Sequence, residues 1–223
     1  MFMVGEFMKF SNTKEKFSFL FKLLILVVCG IGLYLNFKIG SLWMILYFTL
    51  LSNLMCFLFY LFTIILKLCN KLEKNNIYYV FKGMITMAIT LTMFGYWLLV
   101  ASGGDIGIYA SHMTSCRIVH LYVPILVMLD YLIFGEKGNL KKSYPFIWST
   151  VVIGYGIFTS VYSFFGGLFL GNNKYPYNYL NIDEFGVIKV CINCLIIYIT
   201  YVGYGVIIQK IDMLLKRRKN NEK

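Results

Sequence analysis

Three residues early in the chain have the types and spacing to do chemistry from one helix face. Thr49, Ser52 and Asn53 occur in Tyr47-Phe48-Thr49-Leu50-Leu51-Ser52-Asn53. Their i, i+3 and i+4 spacing puts the three side chains on one stripe of a helix. The apolar run around them, from about Leu42 to Leu66, is long enough to cross a bilayer core, which takes about 20 residues. Polar groups on one stripe of a membrane helix face protein or water rather than lipid. Two roles fit. One is helix–helix hydrogen bonding, the ordinary use of Ser and Thr in membranes. The other is a hydroxyl nucleophile with neighbours that orient it, and that role requires a base elsewhere in the chain.

A base is available further along. His120-Leu121-Tyr122-Val123-Pro124 is followed by Asp130, all inside a second apolar stretch. Ionisable groups within a bilayer are costly and mark functional candidates. Pro124 has no N–H to bond the His120 carbonyl, so the helix is expected to loosen at the histidine. Thr49 is expected about eight residues, roughly 12 Å, into its span. If the fourth span begins near His112, His120 lies at similar depth from the same side. The alternative for His120 is a buried structural histidine. Asp130 lies near the end of its span, where an interfacial structural carboxylate is the alternative to a functional one. His112 falls in or near a loop and is not the expected base.

The elements that must position these residues are membrane helices. Hydrophobic residues make up 59% of the 223-residue chain, mean hydropathy is +0.71, and charged residues are 14%. Such a chain is an all-α, multi-pass membrane protein rather than a soluble domain. The expected bundle has six spans, at about 17–37, 42–66, 77–101, 115–134, 144–170 and 186–211. A basic leader (1–16) precedes the membrane domain (17–211), and a basic tail (212–223) follows it. The first apolar run has no small-residue cleavage site after it and reads as a retained span.

The net charge of +11 does not point to nucleic acid, because the basic residues lie between and beyond the spans. Lys9, Lys14, Lys16, Lys67, Lys71, Lys74, Lys137, Lys141, Lys142 and the tail cluster fall on one side. Lys38, Arg117, Lys174 and Lys189 fall on the other. By the positive-inside rule, both termini are expected in the cytoplasm. Cys191 and Cys194 share a helix face with no second pair to complete a zinc site, and are expected to be small core residues. No metal or cofactor is called for.

Phe48-Thr49-x-x-Ser52-Asn53, His120-x-x-x-Pro124 with Asp130, and Tyr175-Pro176 together resemble the androgen-induced and androgen-dependent transmembrane threonine hydrolases and their bacterial relatives. The resemblance runs from the second span to the sixth, in the same order and at similar spacing. It implies hydrolysis of fatty-acid esters of hydroxy fatty acids, with Thr49 as nucleophile and His120 as base. In the animal members the histidine lies one residue further from the proline, and Glu stands where this chain has Asp130. The Phe-Thr-x-x-Ser-Asn form resembles that of the bacterial branch, and the resemblance implies a bacterial plasma membrane.

Three readings follow for the polar residues. An intramembrane lipid-ester hydrolase would use Thr49 and His120, with Asn53, Ser52 and Asp130 as possible supports and Asn53 as a possible oxyanion donor. Its partners would be membrane lipids and a lipid-like ester. A small transporter or channel would instead line a polar pathway with His120, Asp130 and Lys82. A structural membrane protein would use the same groups only for packing.

Overall fold

A computed structural model describes residues 10, 12–101 and 110–221. The leader as far as Lys9, the polar loop at 102–109 and the last two residues of the tail lie outside them. Six helices are long and apolar enough to cross a membrane: α1 (Thr13–Gly40), α2 (Phe48–Leu68), α3 (Asn76–Ala101), α4 (Met113–Phe134), α5 (Tyr144–Phe164) and α6 (Ile182–Asn221). No strand occurs among the described residues. The outer faces carry apolar side chains such as Leu98, Phe164 and Ile188 at 73%, 84% and 79% exposure. A bundle solvated by lipid presents such a surface, because lipid rather than water covers it.

Helix ends follow local chemistry. Asn12 caps α1, its side chain accepting from the Glu15 N–H at 2.9 Å. Ser41 (φ 56°) ends α1, Leu42–Leu46 form a 3-10 turn, and extended Tyr47 precedes α2. The helix carrying Thr49 therefore begins at Phe48 rather than near Leu42. Thr49 lies in its first turn instead of about eight residues in.

The packing falls into two parts. Helices α1, α2, α3 and α4 interlock around Cys29, Leu50, Cys56, Tyr60, Ile89 and Val123. A second cluster joins α3, α5 and α6 through Tyr79, Met87, Tyr144, Trp148 and Tyr201. Gly83 on α3 allows that second contact. A Cβ there would stand 2.2 Å from Trp148 Cζ2, and Trp148 is fully buried. Small residues at membrane helix contacts let backbones approach in this way.

Helix α6 is packed unevenly. At the lysine-rich end of the bundle, Asp212 accepts from the Tyr131 hydroxyl (2.9 Å) and the Gly138 and Leu140 N–H groups (2.7 and 3.2 Å). Gln209 donates to the Leu140 carbonyl at 3.2 Å. Near the other end, Asn193 donates to the Tyr179 carbonyl at 3.0 Å. Between Asn193 and the buried Tyr201, over Cys194–Tyr198, a cavity lies between α6 and helices α3 and α5. Cys194 lies on this stretch and Cys191 just before it, and both are exposed, so the expectation that they are core residues is corrected.

Candidate functional site

The Pro124 defect takes a definite form. Residues Ile118–Tyr122 make a π-helical turn, and α-helical geometry resumes at Val123 with Pro124 in its first turn. A π turn inserts one residue into a helix and re-aims the side chains within it. His120 sits in the middle of this turn, 4% exposed, and its ring stacks on Tyr96 of α3 at 4.2 Å and 26°.

The histidine meets α2. Thr49 Oγ1 and His120 Nε2 are 3.2 Å apart. On the far side of the ring, Nδ1 lies 3.0 Å from the Cys116 carbonyl oxygen. A carbonyl only accepts, so the proton of a neutral imidazole belongs on Nδ1 and Nε2 is left as an acceptor for the Thr49 hydroxyl. The structure thus brings together, at hydrogen-bond distance, the two residues that the sequence nominates as nucleophile and base.

Ser52 and Asn53 sit against the same backbone rather than against the reacting atoms. Asn53 Nδ2 donates to the Thr49 carbonyl at 2.8 Å and to the Val119 carbonyl at 3.3 Å. Those two bonds occupy both of its amide protons and tie the Thr49 turn to the His120 turn. Ser52 Oγ lies 2.9 Å from the Thr49 carbonyl and 2.7 Å from Thr92 Oγ1 of α3. Both residues hold the turn that presents Thr49.

Asp130 is not part of this group. It begins a second π-helical turn, Asp130–Phe134, and its carboxylate binds Lys22 (2.7 Å), Lys82 (2.8 Å) and the Tyr60 hydroxyl (3.1 Å). His120 is not among those partners. Lys22, from α1, is a residue the sequence reading missed. A lysine inside an otherwise apolar span is the signal that would have flagged it.

Tyr177 is the second missed residue. The loop after α5 folds back over the start of α2, and the Tyr177 hydroxyl accepts the Phe48 N–H at 3.1 Å. The same hydroxyl interacts with Thr49 and with Tyr155. Desolvation pushes its phenol up to about 12, so it carries its proton at neutral pH and can donate it. The Tyr175-Pro176 pair marked this loop in the sequence, but nothing there indicated that it reaches Thr49.

Thr49, His120 and Tyr177 open into the cavity beside α6, whose volume is about 2060 Å³. Its walls are mostly apolar, from Leu91, Phe94 and Leu98 of α3, Ile153 and Ile157 of α5, and Ile196 of α6. Thr49 is partly exposed to this space, while His120 lies behind it. No cluster of three or more metal-ligating side chains occurs among the described residues. No protein-family model, curated protein or solved structure matches the chain.

Proposed function

We propose that this protein is an intramembrane hydrolase of lipid esters, with both termini in the cytoplasm, in which Thr49 is the nucleophile and His120 the general base. The supporting observation is the Thr49–His120 contact at 3.2 Å, made at the wall of an apolar cavity large enough for an acyl chain. The resemblance to the transmembrane threonine hydrolases points the same way.

In this reading Thr49 Oγ1 attacks the ester carbonyl as its proton passes to His120 Nε2. The imidazolium that forms keeps its Nδ1–H on the Cys116 carbonyl, which stabilises the added charge. The tetrahedral intermediate collapses, the C–O bond to the alcohol breaks, and the departing oxygen takes the proton from Nε2. Water, activated by the same nitrogen, then cleaves the acyl-threonine to a carboxylic acid and restores the hydroxyl. With both Asn53 amide protons engaged, the donor placed for the oxyanion is the Tyr177 hydroxyl. An interaction of that kind contributes about 3 kcal/mol in other acyl transfers. The engagement of Asp130 by Lys22 and Lys82 rather than by His120 weighs against a continuous polar pathway and so against the transporter reading.

The test is covalent labelling by a fluorophosphonate, in which the threonine oxygen displaces fluoride from phosphorus. Purified wild-type protein should label. Thr49→Ala should not, and Thr49→Ser should retain labelling. His120→Ala should slow it by about 10²–10⁴-fold. Equal labelling of wild type and a folded Thr49→Ala variant would refute the proposal.

A further inference from the structure

The Asp130 cluster lies apart from the Thr49 site and holds more positive than negative charge. Lys22 and Lys82 share one carboxylate, each bound to a different oxygen, at 2.7 and 2.8 Å. Asp130 is fully buried, and the two lysines are 8% and 6% exposed. An uncompensated ion is strongly disfavoured in a low-dielectric interior, and a bilayer span offers little water to solvate it. The Tyr60 hydroxyl satisfies a carboxylate oxygen and brings no charge.

Beside this cluster, at the lysine-rich end of the bundle, is a separate cavity of about 60 Å³. Lys22 and Lys82 line it together with Ser18, Thr63 and Tyr78. Lys67 and Lys74 line it as well, and each binds a glutamate at 2.6 Å, Glu15 and Glu136 respectively. Among the described residues, then, four lysines and two glutamates line this space, with Asp130 buried behind Lys22 and Lys82. One water occupies about 10–15 Å³, so the cavity has room for several polar atoms and admits a group the size of a phosphate.

We propose that this cavity binds a phosphate group, with Lys22 and Lys82 as its cationic ligands. Lysine binds phosphate as a point charge, and a phosphate accepts from ammonium and hydroxyl donors alike. The Ser18 hydroxyl lies 2.6 Å from Lys22 Nζ and accepts from it, which leaves its own proton to donate. The phosphate supplies the negative charge that Asp130 alone does not. Its source is either free phosphate or the phosphomonoester of a lipid, since Lys67 in the last turn of α2 and Lys74 beyond it line the same cavity. The site stands whether or not Thr49 is a nucleophile.

The experiment is thermal unfolding of the full chain in maltoside micelles, which carry no phosphate. One arm adds inorganic phosphate against chloride at equal ionic strength, and the other adds phosphatidic acid to the micelles. A saturable rise in midpoint with phosphate but not chloride identifies free phosphate as a ligand. A rise with phosphatidic acid alone identifies the lipid headgroup. Lys82→Gln leaves one lysine for one carboxylate and should weaken the response at least tenfold in ligand concentration. Absence of any phosphate-specific rise in both arms overturns the proposal, as does an undiminished response in folded Lys82→Gln. If that variant does not fold, the two wild-type arms decide the matter alone.

Discussion

His120 Nδ1 lies 3.0 Å from the carbonyl oxygen of Cys116, one turn earlier on α4. That contact sets the tautomer that leaves Nε2 open to the Thr49 hydroxyl, and it does so without a carboxylate. Serine hydrolases commonly orient the equivalent proton with an aspartate. Here a backbone oxygen serves, one turn before the histidine and just ahead of the π turn that carries it.

Pro124→Ala restores an N–H that can bond the His120 carbonyl and return the turn to α geometry. Closing the π turn removes its extra residue and swings His120 away from α2. The expected result is at least tenfold slower fluorophosphonate labelling at Thr49, with thermal stability equal to or above wild type. Labelling at the wild-type rate by a stable Pro124→Ala protein would show that the π turn does not position the histidine.

Asn53→Ala removes one hydrogen bond within α2, to the Thr49 carbonyl, and one between α2 and α4, to the Val119 carbonyl. Interhelical polar bonds in membranes contribute about 0.6 kcal/mol on average and up to about 1.7. The loss should fall near the upper figure because Asn53 is fully buried. Unfolding in mixed micelles measures it. Labelling should fall less than in His120→Ala, and a complete loss of labelling in folded protein would assign Asn53 a direct chemical role.

Tyr177→Phe keeps the ring packing against Tyr47 and Tyr155 and deletes one hydroxyl. If that hydroxyl donates to the oxyanion, kcat for a model ester should fall about 10²-fold while KM changes little. A rise in KM at constant kcat would instead place Tyr177 in substrate binding.

Gly83→Ala inserts a methyl where Trp148 already stands. Overpacking of this kind costs about 1–3 kcal/mol. The double variant Gly83→Ala, Trp148→Phe should recover part of the loss, because the smaller ring vacates the space. Additive destabilisation in the pair would show that the two residues do not share that contact.

The number of helices was legible in the sequence because each span is a long apolar run bounded by polar residues. The meeting of Thr49 with His120 was legible in outline, from a hydroxyl stripe and a proline four residues after a histidine. The start of α2 was not, since Leu42–Leu46 is as apolar as a membrane helix and no residue type signals the extended Tyr47 that follows it. The pairing of Lys22 with Asp130 spans 108 positions, and its lysine is embedded in a run that reads as uniformly apolar. Tyr177 reaches Thr49 only because the loop after α5 folds inward, a tertiary event with no local signature. Cys191 and Cys194 were misplaced because helical periodicity gives a face and does not say what covers it.

Helix α6 packs on α3 and α5 from Tyr201 onward and stands off from them over Cys194–Tyr198, and this bears on how a greasy molecule would reach the hydroxyl. Moving an acyl chain from lipid into water costs about 0.8 kcal/mol per methylene, so lifting a chain of about sixteen carbons out of the bilayer would cost more than about 10 kcal/mol. A side door between helices avoids that ascent. In the proposed hydrolysis the chain would slide in within the leaflet, only the polar ester would approach the rim, and the fatty acid would depart by the same lateral path. On the proposed reading, turnover would depend on how readily lipid enters the gap beside Cys194–Tyr198, and so on how fluid the surrounding bilayer is.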